Sequence, residues 1–302
     1  MAETGKNSSG GGGCPATHGL IIDAMQEAGL PAGVVNFVTN APADAAAVVE
    51  AMVAHPALRR VNFTGSTKVG MLVAQTCANY LKPAVLELGG KALFVVLADA
   101  DIEAAVNAAT FGGFANSGQI CISTERIIVH EPIADAFIER LATRATSLPL
   151  GDPRQGPVVL GSVVDMATVD RCNALIDDAL AKGARLVCGG KATSTLMPTT
   201  LLDGVTPQMH VFREETFAPV KAIVRVKGVE DAVACANDND FGLAAAVFGR
   251  DVARAWQVAS RTESGICHIN GPTVHDEAQM PFGGVKASEL ARQLSVNSSS
   301  AC

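Results

Sequence analysis

The sequence predicts an α/β fold in which helices cover a buried, largely parallel β-sheet. Strand-like and helix-like segments alternate along most of the chain, which is the order that parallel sheets with crossover helices require. The strand-like segments are apolar along their whole length, as in strands that are covered on both faces. Of the 302 residues, 48% are hydrophobic and 18% are charged, so the chain can form one large domain or two ordinary ones.

The first half of the chain supplies the first alternating segments. Strands are predicted at 33–39 (GVVNFVT), 59–65 (RRVNFTG), 84–90 (AVLELGG) and 93–98 (LFVVLA). Helices are predicted at 43–55, 68–81 and 101–115. Asp99, Asp101 and Glu103 surround the start of the third helix, where the positive end of the helix dipole favours carboxylates.

The second half continues the pattern between two ends of different composition. Strands are predicted at 126–130, 221–226, 244–249 and 265–270, and helices from residue 133 and across 169–184. Residues 1–13 have the Gly- and Ser-rich composition of a flexible linker. The last segment, SVNSSSAC, lacks the apolar residues needed for a core, so both ends are interpreted as tails.

Charge, hydropathy and cysteine pattern exclude several classes of function. The net charge of −7 argues against a nucleic-acid partner. The apolar runs are too short to cross a membrane, and the N-terminus lacks the apolar stretch of a secretory signal. The eight cysteines are scattered without a CxxC pair, which favours neither a metal site nor a disulfide framework. We therefore expect no metal and a cytoplasmic location.

Two segments that follow predicted strands are candidate sites. The turn from Gly65 to Gly70 (GSTKVG) joins a strand to a helix, whose free backbone amides favour a phosphate. It lacks the GxGxxG fingerprint, so an ordinary strand–helix turn is an equal alternative. Glu87 stands at the end of an apolar strand, where burial raises a carboxyl pKa toward the value of a general base. The alternative is a glutamate turned to solvent.

Cys121 follows a helix in the polar sequence NSGQIC. Backbone amides there can face an anion, which favours a nucleophilic thiolate and stabilises a negative oxygen on a substrate. The alternative is a cysteine that fills space as a small apolar residue. His268, His275 and Asp276 also suggest a Cys/His/Asp hydrolase, but nothing in the sequence fixes their geometry relative to the thiol.

The order FTGST, LELGGK, GQIC, EETFAPV and PFGGVKAS resembles the aldehyde dehydrogenase superfamily from about residue 14 to 288. The segments CISTERIIV and SGICHINGPTVHDEAQMPFGGVKAS resemble those of dehydrogenases for aromatic aldehydes. The resemblance implies the C-terminal part of a Rossmann-type NAD-binding domain at 14–88, followed by the α/β catalytic domain at 89–288. Residues 1–13 would then be a linker-like tail and 289–302 a tail outside the family pattern.

The resemblance also implies roles for the matching residues. Cys121 would attack the aldehyde, and Glu87 would activate the water that hydrolyses the resulting thioester. The implied cofactor is NAD, with NADP not excluded. Its binding residues would be Gly65, Ser66, Gly70, Leu88, Glu215 and Phe217. The substrate pocket would contain Asn270 and Phe282.

Some of the family pattern lies outside this sequence. The family carries a Pro-Trp-Asn segment, whose Asn completes the oxyanion hole, and a Lys…Glu pair that holds the adenosine ribose. Here, residues 9–12 (SGGG) replace the latter segment. We therefore expect a chain truncated at both ends, with impaired oxidation of an aromatic aldehyde and without the bridging elements of the family homo-oligomer. The alternatives are an inactive fragment and a cofactor-independent thiol esterase.

Overall fold

The computed structural model describes residues 15–290, so the predicted N-terminal tail and nearly all of the C-terminal tail lie outside the described residues. The chain divides between Leu88 and Gly89 into two compact units, which are called the first and the second unit below. Strands and helices alternate along most of both units, although the described part of the first unit begins with helices and lacks its first predicted strand. No helix within residues 15–290 is long and apolar enough to cross a membrane.

The first unit contains three α-helices and two strands among its described residues. They are α1 (Pro15–Glu27), α2 (Ala45–Ala54), β1 (Val61–Thr64), α3 (Thr67–Asn79) and β2 (Ala84–Glu87), with a short 3-10 helix before α2. β1 and β2 pair in parallel, with Val61 opposite Ala84 and Thr64 opposite Glu87. Val53, Val73, Cys77, Leu86 and Leu88 form the small core of this unit.

The strand predicted at 33–39 is wrong. Residues 32–35 form turns and bends, and 36–40 have no regular structure. Backbone and side-chain groups are bonded locally instead: Val34 N donates to Pro31 O, and Asn36 Nδ2 donates to Gly33 O. Gly33 has a φ of 84°, which an extended strand does not allow. A β-propensity pattern forms a strand only where a neighbouring backbone pairs with it.

The second unit is built on a seven-stranded sheet and contains three further short strands among its described residues. The ten strands of the unit are β3 (Ala92–Val96), β4 (Thr124–His130), β5 (Arg185–Cys188), β6 (Thr200–Asp203), β7 (Val220–Val226), β8 (Phe241–Gly242), β9 (Ala244–Phe248), β10 (Ile266–Ile269), β11 (Val285–Lys286) and β12 (Glu289–Leu290). The sheet order is β10-β9-β3-β4-β7-β6-β5, and all neighbours are parallel except β5 and β6. The predicted α/β class with a largely parallel sheet is confirmed.

Helices cover both faces of this sheet. They are α4 (Ile102–Phe114), α5 (Glu131–Thr146), α6 (Met166–Ala181), α7 (His210–Arg213), α8 (Val229–Asn237) and α9 (Val252–Ala259). Leu93 and Val95 point into the core beneath α6, α8 and α9, whereas Phe94 and Val96 point into the core beneath α4 and α5. Because successive residues of a strand face opposite sides, a fully apolar strand is the expected sequence for a sheet covered twice.

The helix boundaries follow capping residues more than hydrophobic pattern. Asp101 caps α4 by accepting a hydrogen bond from Ala104 N (3.1 Å). α5 begins at Glu131, two residues before the predicted start, because Pro132 is tolerated in the first turn. α6 begins at Met166 after the cap Asp165, also earlier than predicted. Propensity alone therefore misplaces these starts by two or three residues.

Candidate functional site

The turn between β1 and α3 in the first unit is built as a helix start. Ser66 is the N-cap of α3, and its Oγ accepts a hydrogen bond from Val69 N (3.4 Å). Gly65 N donates to Glu87 O, and Gly65 and Ser66 are exposed. Gly70 packs so closely on Leu88 that a Cβ would overlap the leucine side chain. The turn thus presents a helix N-terminus at an exposed position, as an anion site requires.

Glu87 ends β2 and is buried in the structure, with 7% of its surface exposed. The alternative of a glutamate turned to solvent is therefore not supported. The role of Glu87 as a general base stays a prediction.

Cys121 lies in the second unit, in the turn that joins the 3-10 helix Ala115–Gly118 to β4, and it is half-buried. The three residues Asn116, Ser117 and Gly118 have left-handed φ angles of 50°, 57° and 74°. Two successive non-glycine residues in this region cost backbone energy, and such strain clusters at functional sites. The left-handed residues end the helical segment and turn the chain toward β4, with Cys121 in the turn just before that strand.

Polar side chains hold this left-handed turn. Asn116 Nδ2 donates to Gln119 O, and Gln119 Nε2 donates to Asn116 O, each over 3.2 Å. Ser117 Oγ donates to Gly161 O (3.1 Å). The Asn, Ser and Gln of NSGQIC are therefore the residues that stabilise the backbone before the cysteine, since Asn and Ser side chains readily bond nearby backbone groups.

Gly90 connects Cys121 with Glu215. Gly90 N donates to Glu215 Oε1 (2.9 Å), and a Cβ on Gly90 would overlap the carbonyl oxygen of Cys121. A Cβ on Gly89 would lie 2.9 Å from Glu215 Oε2. Ser288 Oγ in turn donates to Gly89 O (2.8 Å). Within the second unit, the GGK, GQIC, EETF and KAS motifs thus meet in one place.

A buried charged cluster lies beneath the loop 214–217, and sequence reasoning missed it. Lys91 Nζ binds Glu125 Oε2 (2.8 Å) and donates to Glu214 O (2.7 Å). Lys221 Nζ lies 3.8 Å from Glu125 Oε1. The only sequence signal is a charged residue at the edge of each apolar strand, in LGGKALF, STERIIV and PVKAIV. We name Lys91, Glu125 and Lys221 the buried cluster.

Burial and the neighbouring charge of Glu125 raise the pKa of Glu215 to about 7. Ionisation of Glu215 therefore destabilises the folded protein. The free energy of unfolding falls as the pH rises from 4.5 to about 7, and below that range Glu215 is protonated and the destabilisation is absent. We expect Glu215→Gln to raise the free energy of unfolding by about 2 kcal/mol at about pH 8 and by much less at about pH 5.

Urea unfolding of wild type and variant at both pH values checks this expectation. Glu214→Gln, in the same loop but exposed, is the matched control. A variant that gains the same stability at both pH values would contradict the raised pKa.

Phe282 and Cys121 pack against the same small cluster of apolar residues. Its buried members are Ala92, Ile122, Leu243 and Ala244. The pocket prediction for Phe282 is thus compatible with its position, on an apolar surface shared with the thiol.

Asn270 follows β10 and is bonded to the residue that follows β9. Asn270 Oδ1 accepts from Gly249 N, and Asn270 Nδ2 donates to Gly249 O, both over 3.0 Å. This pairing joins the carboxyl ends of β9 and β10. Three residues further along the chain, Thr273 Oγ1 lies 2.9 Å from Thr124 Oγ1 at the start of β4, so the segment after Asn270 returns toward the turn of Cys121. The assignment of Asn270 to the substrate pocket stays a prediction.

His268 and His275 contact each other edge to face, with ring centroids 5.4 Å apart. Burial lowers the pKa of His268. The two rings contact each other, and the Cys/His/Asp hydrolase stays an alternative that rests on the sequence alone. No group of three metal-binding side chains occurs within residues 15–290.

Comparison with known proteins accounts for this arrangement of motifs. The vanillin dehydrogenase of Pseudomonas fluorescens is 59% identical over 274 residues, covering 91% of this chain and 57% of the relative. A salicylaldehyde dehydrogenase of Pseudomonas putida is 48% identical over 279 residues, covering 92% of this chain and 58% of the relative. The chain thus spans somewhat more than half the length of these relatives.

Solved structures agree with the sequence comparison. The crystal structure of a salicylaldehyde dehydrogenase from Pseudomonas putida G7, complexed with salicylaldehyde, superposes with a TM-score of 0.90 at 48% identity, over 92% of this chain and 58% of that one. The sequence model of the aldehyde dehydrogenase family matches residues 12–301. The chain therefore belongs to the aldehyde dehydrogenase family.

Proposed function

We propose that the protein oxidises an aromatic aldehyde to the carboxylate, with Cys121 as the nucleophile and a nicotinamide nucleotide as the hydride acceptor. The observation that supports this proposal most directly is the position of Gly90. Its backbone lies against the Cys121 carbonyl, and its N–H donates to the Glu215 carboxylate. The relatives named vanillin and salicylaldehyde dehydrogenase support an aromatic substrate.

The residues present fit a nicotinamide nucleotide in two places. Gly65 and Ser66 expose the N-terminus of α3, which suits a phosphate. Glu215 offers a half-buried carboxylate beside a glycine pair that has no side chains to fill the adjacent space, which suits ribose hydroxyl donors. When bound, the nucleotide supplies the acceptor for a hydride. NAD and NADP both meet these requirements.

The proposed chemistry of the chain begins at the Cys121 sulfur. The thiol loses its proton, and its sulfur forms a bond to the aldehyde carbon, giving a thiohemiacetal whose negative oxygen accepts a hydrogen bond from the Cys121 N–H. Loss of hydride from that carbon leaves a thioester on the sulfur. Glu87 takes one proton from water, whose oxygen bonds to the thioester carbon as the carbon–sulfur bond breaks and the Cys121 thiolate leaves. The carboxylic acid so formed gives its proton to solvent and departs as the carboxylate, and Glu87 passes its proton to solvent.

The role of Glu87 predicts a stalled intermediate. Glu87→Gln keeps the shape of the side chain but removes the base, so the thioester forms and is hydrolysed slowly. We expect a burst of about one NADH per protein followed by a steady rate lowered by roughly 10²- to 10⁴-fold. Stopped-flow absorbance with benzaldehyde and NAD measures both phases. Glu50→Gln, on the exposed face of α2, is the matched control.

A Glu87→Gln variant that turns over as fast as Glu50→Gln would remove Glu87 from the mechanism. Absence of NADH formation, with cleavage of an activated ester that needs no nucleotide and is lost in Cys121→Ala, would instead identify a thiol esterase.

We further propose that the protein is cytoplasmic, because the scattered cysteine pattern supports a reducing compartment. The family resemblance implies a homo-oligomer whose bridging elements this sequence does not carry. Size-exclusion chromatography with light scattering measures the oligomeric state of the chain.

A further inference from the structure

The buried cluster contains a carboxylate whose position no step of the proposed reaction explains. Glu125 is the second residue of β4, and it is almost fully buried together with Lys91 and Lys221. Burial opposes its ionisation, but the charges of Lys91 and Lys221 outweigh that cost and hold the pKa of Glu125 below its usual range. An ionised carboxylate is thus kept at the amino edge of the sheet, next to the turn of Cys121.

The oxygens of Glu125 bind the loop that carries Glu215. Glu125 Oε2 accepts from Thr216 N (2.9 Å), and Glu125 Oε1 accepts from Thr216 Oγ1 (2.7 Å) and Phe217 N (3.0 Å). Phe217 has a φ of 45°, an unfavourable value for an aromatic residue. A strained backbone persists only where surrounding contacts hold it in place. Here, two charge-assisted hydrogen bonds from the backbone amides to Glu125 hold it.

The same cluster contacts the turn of Cys121. Lys221 Nζ donates to Ser123 Oγ (3.4 Å), and Ser123 Oγ donates to Gly112 O (2.9 Å) at the end of α4. A Cβ on Gly118 would lie 2.9 Å from Lys221 Nζ. The buried cluster therefore lies between the turn of Cys121 and the loop of Glu215 and contacts both of them.

We propose that Glu125 is a positioning residue that holds the Glu215–Phe217 loop in the conformation that receives the nicotinamide ribose. This inference rests on the proposed function, because it assigns Glu125 to the cofactor side of that reaction. Glu125 acts through Thr216 and Phe217 and touches neither substrate nor nucleotide itself.

The charges around Glu215 make the inference measurable. They are Glu214 on its own loop, Lys91 before β3, Glu125 on β4, Arg171 on α6 and Lys221 on β7. Burial is the main cause of the raised pKa of Glu215, and the charge of Glu125 is the second. Removing the charge of Glu125 is expected to lower the titration midpoint of Glu215 below about 7, while burial keeps it above the usual pKa range of a glutamate.

Glu125→Gln tests the inference because glutamine retains a single acceptor oxygen for two loop amides. We expect hydrogen–deuterium exchange of the Thr216 and Phe217 amides to rise by roughly 10- to 100-fold and the NAD Kd to rise by about 10-fold or more. Carbon-13 NMR of the glutamate side chains follows the fall of the Glu215 midpoint. Alkylation of Cys121 by iodoacetamide is expected to keep its wild-type rate within about 2-fold, because the oxygens of Glu125 accept hydrogen bonds from Lys91, Thr216 and Phe217.

Asp203→Asn is the matched control. Asp203 is 4% exposed and binds two cationic side chains, Arg185 (2.7 Å) and Arg225 (3.0 Å), at the carboxyl end of β6. Its substitution also removes the charge of a buried carboxylate, and the hydrogen bonds of that carboxylate to Arg185 and Arg225 lie outside the Glu215 loop. We expect it to lower thermal stability without changing loop exchange, the Glu215 midpoint or the NAD Kd.

Two further variants address the case in which Glu125→Gln does not fold. Glu125→Gln with Lys221→Met removes one charge of each sign. Thr216→Val removes the hydroxyl, which donates to Glu125 Oε1 and also lies near the carbonyl oxygens of Ala218 and Val220, but it keeps the amide bond to Glu125. Both are expected to raise loop exchange, the second by less. Loop exchange no faster than in Asp203→Asn would overturn the inference. NAD binding by wild type decides the proposed function separately, because loop exchange and the Glu215 midpoint are measured without nucleotide.

Discussion

Replacing Cys121 with serine is expected to lower kcat/KM for aldehyde oxidation by roughly 10⁴-fold or more, because a serine hydroxyl is a far weaker nucleophile than a thiolate and loss of a nucleophile removes the covalent route entirely. Steady-state NADH formation with benzaldehyde measures the loss. The free energy of unfolding is expected to change by less than about 1 kcal/mol, since the two side chains differ little in volume and Cys121 is only half-buried.

Cys188→Ser is the matched control for this prediction. Cys188 is also half-buried, but burial raises the pKa of its thiol and its Sγ donates to Thr199 O (3.7 Å), so it is not a nucleophile. We expect wild-type turnover from this variant. Undiminished oxidation by Cys121→Ser, or an equal loss in Cys188→Ser, would contradict the assignment of the nucleophile.

Gly118→Ala is expected to destabilise the protein by about 3 kcal/mol and to lower turnover by roughly 10²-fold. Gly118 has a φ of 74°, and a Cβ there would overlap the carbonyl oxygen of Ala218. The backbone must shift to relieve that overlap, and the turn that it belongs to carries Cys121. A displaced nucleophile loses rate even when the thiol itself is intact.

Gly204→Ala is the control that separates the cost of steric overlap from the cost of the left-handed backbone angle. Gly204 has a φ of 71°, but no atom lies within 4 Å of the position of its Cβ. Its substitution is expected to cost only about 1 kcal/mol, the ordinary penalty for a left-handed alanine, and to leave turnover unchanged. Chemical unfolding and steady-state kinetics of both variants suffice. Equal costs for the two glycines would mean that close packing at Gly118 is unimportant.

Local features of the sequence predict five of the seven strands in the large sheet of the second unit, and they miss β5 and β6 at its edge. Unbroken apolar segments such as 93–98 and 221–226 identify buried parallel strands because helices cover both faces of the sheet. The strand at 33–39 fails because its residues favour extended structure, yet strand formation depends on a paired neighbour, and here turns satisfy the backbone instead. Pairing is a property of the folded chain, not of the segment.

The residues of the site also fall into those that the sequence indicates and those that only the fold reveals. Cys121 and Glu215 were predicted because they lie in compact motifs with recognisable polar and glycine residues. Glu125 and Lys221 escaped prediction, since a charge beside an apolar segment also suits a solvent-exposed strand end. Only the fold brings Glu125 against Lys91 and the backbone of Thr216. The place of Asn270 in the substrate pocket stays a prediction, since its side chain is bonded to the backbone of Gly249.

The identity of the residue that carries the acyl group is the central claim, and trapping that group tests it most directly. The Glu87→Gln variant is mixed with benzaldehyde and NAD, quenched in acid within one turnover, digested, and examined by mass spectrometry. We predict one aroyl group per protein, on the peptide that contains Cys121, and none when NAD is omitted. An aroyl group on another cysteine, or no covalent adduct while NADH is formed, would contradict the account.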